Sequence, residues 1–187
     1  MELSNLNIKN GLCISVGANI DSNFGHPIDS LIHCRPRLET TIKEWIIKFQ
    51  LTESLPNSSN TFFYWSSLYE TTPHGTSDPQ PNFINTVLLV KSTIFPEPSH
   101  TTAKFLLDQF KNFEQSYGRE RSVEKNLWLP RSLDLDILWW ENLYTDTNLL
   151  TIPHPRFVNR NFVISPLAEI LSRSQKIERI NDKRWPL

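Results

Sequence analysis

The sequence predicts an α+β fold, an antiparallel sheet with two helices packed on one face. Two observations carry that reading. Apolar residues alternate with other residues at a period of two in several short stretches, and they recur at three- and four-residue spacing in two longer ones. Along the chain these periods follow the order strand, helix, strand, strand, helix, strand, which is the split βαβ, ferredoxin-like βαββαβ arrangement.

The elements follow in order. "LCISVGAN" (12–19) reads as a short buried strand ending at Gly17. Leu38, Ile42, Trp45, Ile46 and Phe49 share one helical face, so a helix is expected over 36–51. "LPNSSN" (55–60) is a loop by composition, and the aromatic, β-prone "TFFYWSSLYET" (61–71) is a strand. Three prolines and a glycine make "TPHGTSDPQPN" (72–82) irregular. "FINTVLLVKST" (83–93) is the next strand, with Phe83, Asn85 and Val87 on one face. "FPEPS" introduces a helix over 99–117 whose stripe is Ala103, Leu106, Leu107, Phe110, Phe113 and Tyr117. A charged loop, 118–130, ends at Pro130 and leads into the strand "RSLDLDIL" (131–138). "TIPHPRFVNRNFV" (151–163) reads as irregular before a short last helix, "SPLAEILSR". One domain is expected over 1–187 with its core at about 12–172, and the sheet face away from the helices is expected to be open for a ligand.

Composition narrows the function classes. The net charge of −1 gives no basic field for nucleic acid or an anionic membrane. No apolar run approaches the ~20 residues of a membrane helix, and "MELSNLNIKNG" lacks the layout of a signal peptide. Cys13 and Cys34 lack metal or redox spacing and read as reduced thiols. A cytoplasmic monomer without a nucleic-acid or membrane partner is the expectation. Only five glycines argue against a glycine-rich phosphate loop.

Chemistry concentrates around "RSLDLDIL". At strand spacing Asp134 and Asp136 project from the same face, where like charges repel and burial adds to the cost. Either the strand end is solvated, or cations hold the pair. Hard carboxylate oxygens on one face suit Mg²⁺, which uses one or two carboxylates and leaves its other positions to water and phosphate. Arg119, Arg121 and Arg131 bracket the strand; they are either exposed loop charges or guanidinium forks for a polyphosphate. Trp128 is a loop anchor or a cover, and His154 in "PHPR" is structural or functional. Asn85, an amide in an apolar strand, either bonds neighbouring backbone or reads the edge of a heterocycle, with Phe83 or Phe162 on its ring faces and Arg160 alongside. Together these residues suggest an aromatic, amide-bearing pocket next to a carboxylate–arginine polyphosphate site.

"LPRSLDLDIL", with "GRER" upstream, "TPHG…PNFIN" before it and "TIPHPRFVNRNFV" after it, resembles the 6-hydroxymethyl-7,8-dihydropterin pyrophosphokinase family of folate biosynthesis over about 15–170. The resemblance implies the α+β fold above and an ATP- and Mg²⁺-dependent transfer of pyrophosphate from ATP to the pterin hydroxymethyl group, releasing AMP. It implies that Asp134 and Asp136 bind two Mg²⁺ ions and that Asn85 reads the pterin edge. Phe83 and Phe162 would flank the ring, in a pocket completed by Thr71, Pro73 and His74. Arg119, Arg121 and Arg131 would contact or approach the triphosphate, with Arg119 and Arg131 in catalytic roles. Glu114, Ile137, Thr151, His154 and Arg160 would lie on the nucleotide side, and Trp128 in a loop, 118–130, that closes as a lid. Leu129 departs from the pattern, which has a small residue there.

Two rivals remain at this level. A ferredoxin-like module could bind RNA through Phe83 and Trp65, although carboxylates repel phosphate unless metal intervenes. Another Mg²⁺ phosphotransferase could use the same fold with a different acceptor.

Overall fold

A computed structural model describes residues 11–50, 60–73, 79–120 and 129–174. Its elements are β1 (Leu12–Ala18), α1 (Pro27–Lys48), β2 (Thr61–Trp65), β3 (Tyr69–Thr71), β4 (Phe83–Ser92), α2 (His100–Ser116), β5 (Asp134–Trp140), β6 (Thr145–Asp146), β7 (Thr151–Ile152) and α3 (Asn161–Ser174), with a 3-10 turn at Phe157–Asn159. The main sheet runs β2-β4-β1-β5, with β3 also on β4, and its pairings are antiparallel. This is the expected α+β, ferredoxin-like fold.

Several boundaries differ from the expectation. Helix α1 starts at Pro27, not at 36. Proline is well suited to the first helical turn, and Leu31 and Cys34 extend the buried stripe of Leu38, Ile42, Trp45 and Ile46 upstream. Pro36 inside the helix deprives the Ile32 carbonyl of its usual donor, but Ile32 faces water at 64% exposure. The expected 61–71 strand is two strands, because Ser66 leaves the ladder and its hydroxyl and carbonyl meet Thr86 instead. Helix α2 falls almost where predicted. Ser99 caps it, accepting from the Thr102 N–H while the Thr102 hydroxyl accepts from the Ser99 N–H. The last helix begins at Asn161, not at 165, with Pro166 inside it.

Helices α1 and α2 lie on one face. There Leu12, Ile14 and Val16 of β1, Leu88 and Val90 of β4, and Leu135, Ile137 and Trp140 of β5 pack against Leu38, Trp45, Leu106 and Phe110. The other face is not wholly open, contrary to the expectation. Val163, Leu167 and Ile170 of α3, with Phe157, cover Cys13, Val87, Leu89, Leu138 and Trp139. A bulge serves this arrangement: Cys13 pairs with Trp139 but Ile14 with Ile137, so Leu138 is the extra residue and joins Trp139 in that second core. The bulge also preserves the alternation that turns Asp134 and Asp136 toward the uncovered part of the same face. Both cysteines are free and buried; burial raises the Cys34 thiol to about 12. Among the described residues no helix is long and apolar enough to cross a membrane.

Candidate active site

Where α3 ends its cover, the sheet face becomes the floor of a cavity of about 340 Å³. Ser15 and Gly17 of β1, Phe83 and Asn85 of β4, and Asp134 and Asp136 of β5 line the floor. Thr71, Thr72, Pro73 and Gln80 form one wall, and Arg156, Asn159, Arg160 and Phe162 another. Leu129 and Arg131 complete it. Gly17 is paired with Asn85 on one side and Asp134 on the other. At strand spacing those two side chains are therefore anchored roughly 10 Å apart across β1.

The first half of the cavity is aromatic and amide-bearing. Asn85 is 5% exposed and its Nδ2 donates to Thr71 Oγ1 at 2.8 Å. That bond fixes which way the amide points, with Phe83 and Phe162 lining the same space. Arg160 lies over the Phe162 ring at 5.4 Å.

The second half is a charge network. Asp134 Oδ1 accepts from Arg119 Nη1 at 2.6 Å, and Oδ2 accepts from Arg131. Arg119 is also paired with Glu114, a buried residue of α2. Asp136 Oδ2 lies 3.7 Å from Arg160 Nη1. Burial opposes the charge on Asp134, but Arg131 and Arg119 outweigh it and hold the carboxyl below its ordinary value. Asp136 has Arg160 at this longer distance, with Arg131 and Arg119 acting on it less strongly. Partial burial and then the neighbouring Asp134 charge push it up to about 6. The strand therefore carries two carboxylates of unlike character, one neutralised by arginines and one short of positive charge.

A hard divalent cation fits this donor set. Two carboxylates on one face of a strand is what Mg²⁺ takes from protein when phosphate and water supply the rest. Among the described residues no group of three or more His, Cys, Asp or Glu side chains forms a self-sufficient metal cage.

The expected site residues sort into three groups. Thr71, Pro73, Phe83, Asn85, Arg131, Asp134, Asp136, Arg160 and Phe162 share the cavity. Arg119, Glu114, Ile137, Thr151 and His154 stand behind or beside its walls. Arg119 reaches the cavity through Asp134, and Glu114 is 2% exposed beneath β5. The Ile137 side chain lies in the core under the sheet. Thr151 bonds Asp146 Oδ1 at 3.0 Å in the β6–β7 hairpin. The His154 N–H donates to the Leu138 carbonyl at 2.8 Å, and burial, then Arg160 and Arg156, lower its imidazole to about 4. His74, Arg121 and Trp128 lie outside the described residues, as does most of the loop expected to act as a lid.

Sequence reasoning missed Ser15, Gly17, Asn19, Gln80, Arg156 and Asn159. Asn19 is 2% exposed, and its Oδ1 accepts the Arg131 N–H at 2.6 Å while the Arg131 carbonyl accepts the Asn19 N–H at 2.8 Å. This reciprocal pair fixes the backbone entering β5. Its signal was an amide directly after a buried strand.

A sequence profile describing 7,8-dihydro-6-hydroxymethylpterin-pyrophosphokinase (HPPK) matches residues 13–172. The 2-amino-4-hydroxy-6-hydroxymethyldihydropteridine pyrophosphokinase of Bacillus subtilis is 39% identical over 111 residues, 59% of this chain and 60% of that protein. The protein of the same name from Haemophilus influenzae is 39% identical over 107 residues, 57% of this chain and 60% of its own. That of Aquifex aeolicus is 36% identical over 105 residues, 56% and 59%. The matched segments thus span about 60% of these relatives' own lengths. Because the profile runs from β1 into α3 and takes in every wall of the cavity, the chain belongs to the 7,8-dihydro-6-hydroxymethylpterin-pyrophosphokinase family.

Proposed function

We propose that the chain transfers pyrophosphate from ATP to the hydroxyl of 6-hydroxymethyl-7,8-dihydropterin, giving the pterin diphosphate and AMP, as a step of folate biosynthesis. The observation that carries this reading is the juxtaposition of two subsites in one cavity. An oriented amide sharing its cavity with two phenylalanines, Phe83 and Phe162, stands one strand away from an Asp pair held among three arginines. The first suits a flat heterocycle with hydrogen-bonding edges, and the second suits a polyphosphate brought in with its metal.

Asn85 and Thr71 read the pterin edge, and Phe83 and Phe162 take its faces. Asp134 and Asp136 would hold two Mg²⁺ ions, which when bound supply positive charge to the phosphates and acidify a coordinated hydroxyl. Arg119, Arg131 and Arg160, paired with Asp134 and Asp136, would neutralise phosphate charge once those carboxylates turn to cations. The pterin oxygen forms a bond to the β-phosphorus as the bond from that phosphorus to the oxygen of AMP breaks, and the hydroxyl proton is released. His154, held neutral and outside the cavity lining, is not placed as a general base. Catalysis rests instead on positioning and charge neutralisation. The chain acts as a single-domain cytoplasmic monomer over 1–187, without nucleic-acid or membrane partners.

Mass spectrometry of a reaction containing ATP, Mg²⁺ and hydroxymethyldihydropterin tests the proposal. AMP and pterin diphosphate are expected. ADP would assign a different phosphotransfer, and absence of turnover with retention of RNA would assign an RNA-binding module.

A further inference from the structure

Glu114 sits at the C-terminal end of α2, is 2% exposed and does not line the cavity. Its Oε1 accepts the Leu135 N–H at 2.8 Å, the peptide between Asp134 and Asp136. The same oxygen pairs with Arg119 Nη1. That guanidinium nitrogen also reaches Asp134 Oδ1 at 2.6 Å and the Leu133 carbonyl at 3.3 Å, while the Arg119 N–H donates to the Glu114 carbonyl at 3.2 Å. One buried carboxylate therefore ties together α2, the arginine and the strand that carries both aspartates.

Both oxygens of Asp134 are taken, Oδ1 by Arg119 and Oδ2 by Arg131. A cation bound by Asp134 repels both guanidiniums and competes with them for its oxygens, so its arrival loosens the hold of Asp134 on Arg119. Arg119 would then be left in a half-buried place without its nearest charge, were Asp134 its only anchor. Glu114 removes that difficulty, because it is a second carboxylate on the same guanidinium nitrogen, buried beneath the strand and outside the cavity lining.

Resting on the pyrophosphokinase reading, we infer that Glu114 is a positioning residue: it keeps Arg119 at the phosphate subsite while Asp134 exchanges arginine for cation, and it acts on the reaction only through Arg119. This differs from the nucleotide contact that the family resemblance implied. It follows that Glu114 sets the rate of the chemical step and leaves nucleotide affinity nearly untouched.

The test is a double-mutant cycle of Glu114→Gln with Arg119→Ala, read by steady-state kinetics and by side-chain NMR of the ligand-free protein. Glutamine keeps an acceptor for Leu135 and loses the charge. Glu114→Gln is expected to lower kcat about tenfold to a hundredfold with the KM for ATP changed less than about threefold. On top of Arg119→Ala the same substitution should change kcat by less than about twofold. Glu114→Asp, charged but shorter, should be intermediate; run in the same cycle, it decides the matter if the glutamine variant does not fold. A wild-type kcat, an equal loss with and without Arg119, or a rise in the KM for ATP at constant kcat would each overturn the inference. In ligand-free Asp134→Ala protein, where Asp134 no longer holds Arg119, the guanidinium protons should give a resonance protected from exchange that adding Glu114→Gln abolishes; an unchanged resonance would overturn it too. If the wild-type protein forms no pterin diphosphate, the pyrophosphokinase reading fails on its own, and the resonance still decides whether Glu114 holds Arg119.

Discussion

Gly17 and Asn85 face each other across β1 and β4 so closely that a Cβ on Gly17 would stand 2.7 Å from Asn85 Oδ1. The amide carbonyl occupies the space that any other residue at 17 would need. Gly17→Ala is therefore expected to displace the Asn85 side chain and break its bond to Thr71, with the core beneath the sheet unchanged. Overpacking of this kind costs about 1–3 kcal/mol, and here the cost should appear as pterin affinity. Calorimetry with the pterin alone should show at least about tenfold weaker binding, where tenfold is about 1.4 kcal/mol, and titration with an ATP analogue should show little change. Unaltered pterin affinity would mean that the amide is not the reader of the ring.

Asn85→Ala tests the same group from the other side. The amide is buried and already directed by Thr71, so its removal leaves ligand edge groups unpaired, at a cost of roughly 1–3 kcal/mol. The loss should fall on the pterin far more than on ATP, measured separately by calorimetry. Equal losses for both ligands would assign Asn85 a purely structural role.

What the sequence made legible follows from what each residue does locally. Asp134, Asp136, Phe83 and Asn85 could be found because polar or aromatic residues interrupt an apolar alternation, and period-two spacing assigns them a face without knowledge of the partner strands. The βαββαβ order followed from two periods in succession. The second cover was not legible: Ser165-Pro166 reads as a helix start, whereas α3 begins at Asn161 and its stripe seals half the face expected to be open. The bulge at Leu138 was equally hidden, because "ILWW" is apolar at every position and carries no period. Contacts between distant segments were out of reach for the same reason. Nothing local in "NFEQS" says that Glu114 will meet the Leu135 N–H, and nothing in "VGAN" says that Asn19 will bind the backbone of Arg131.

Asp134 and Asp136 should part company when each is removed. Asp134→Ala and Asp136→Ala are both expected to abolish most turnover, since each would remove an oxygen ligand from the proposed cation site. Their effects on the ligand-free fold should differ in sign. Asp134 neutralises Arg119 and Arg131, so its loss leaves two guanidiniums close together and lowers the melting temperature. Asp136 carries an unfavourable charge beside Asp134, and its loss relieves that repulsion, so the melting temperature should hold or rise. Rates and thermal denaturation on both variants decide the point. A near-normal rate in either would remove that residue from the metal site.

His154 gives the acid limb of stability a measurable signature. Burial first, then Arg160 and Arg156, hold its folded-state pKa near about 4, below the ordinary value of 6.5. Between those values the unfolded chain takes a proton that the folded protein refuses, so stability is complete above pH of about 6.5 and declines as the pH falls toward about 4, by no more than about 1.4 kcal/mol per pH unit for one proton. Asp136 works the other way. Its carboxyl is raised to about 6, so over much of the same window the folded state takes up a proton that the unfolded state does not, and acid stabilises it. The two slopes partly cancel in the wild-type profile, so a single curve hides both. Denaturant melts of the wild type and of His154→Gln between pH 4 and 7.5, subtracted at each pH, isolate the histidine. The stability of the wild type relative to the variant should be constant above about pH 6.5 and fall steadily below it. A difference that stays flat through the window would mean that His154 titrates normally in the folded protein and that Arg156 of the "PHPR" turn and Arg160 do not bear on it.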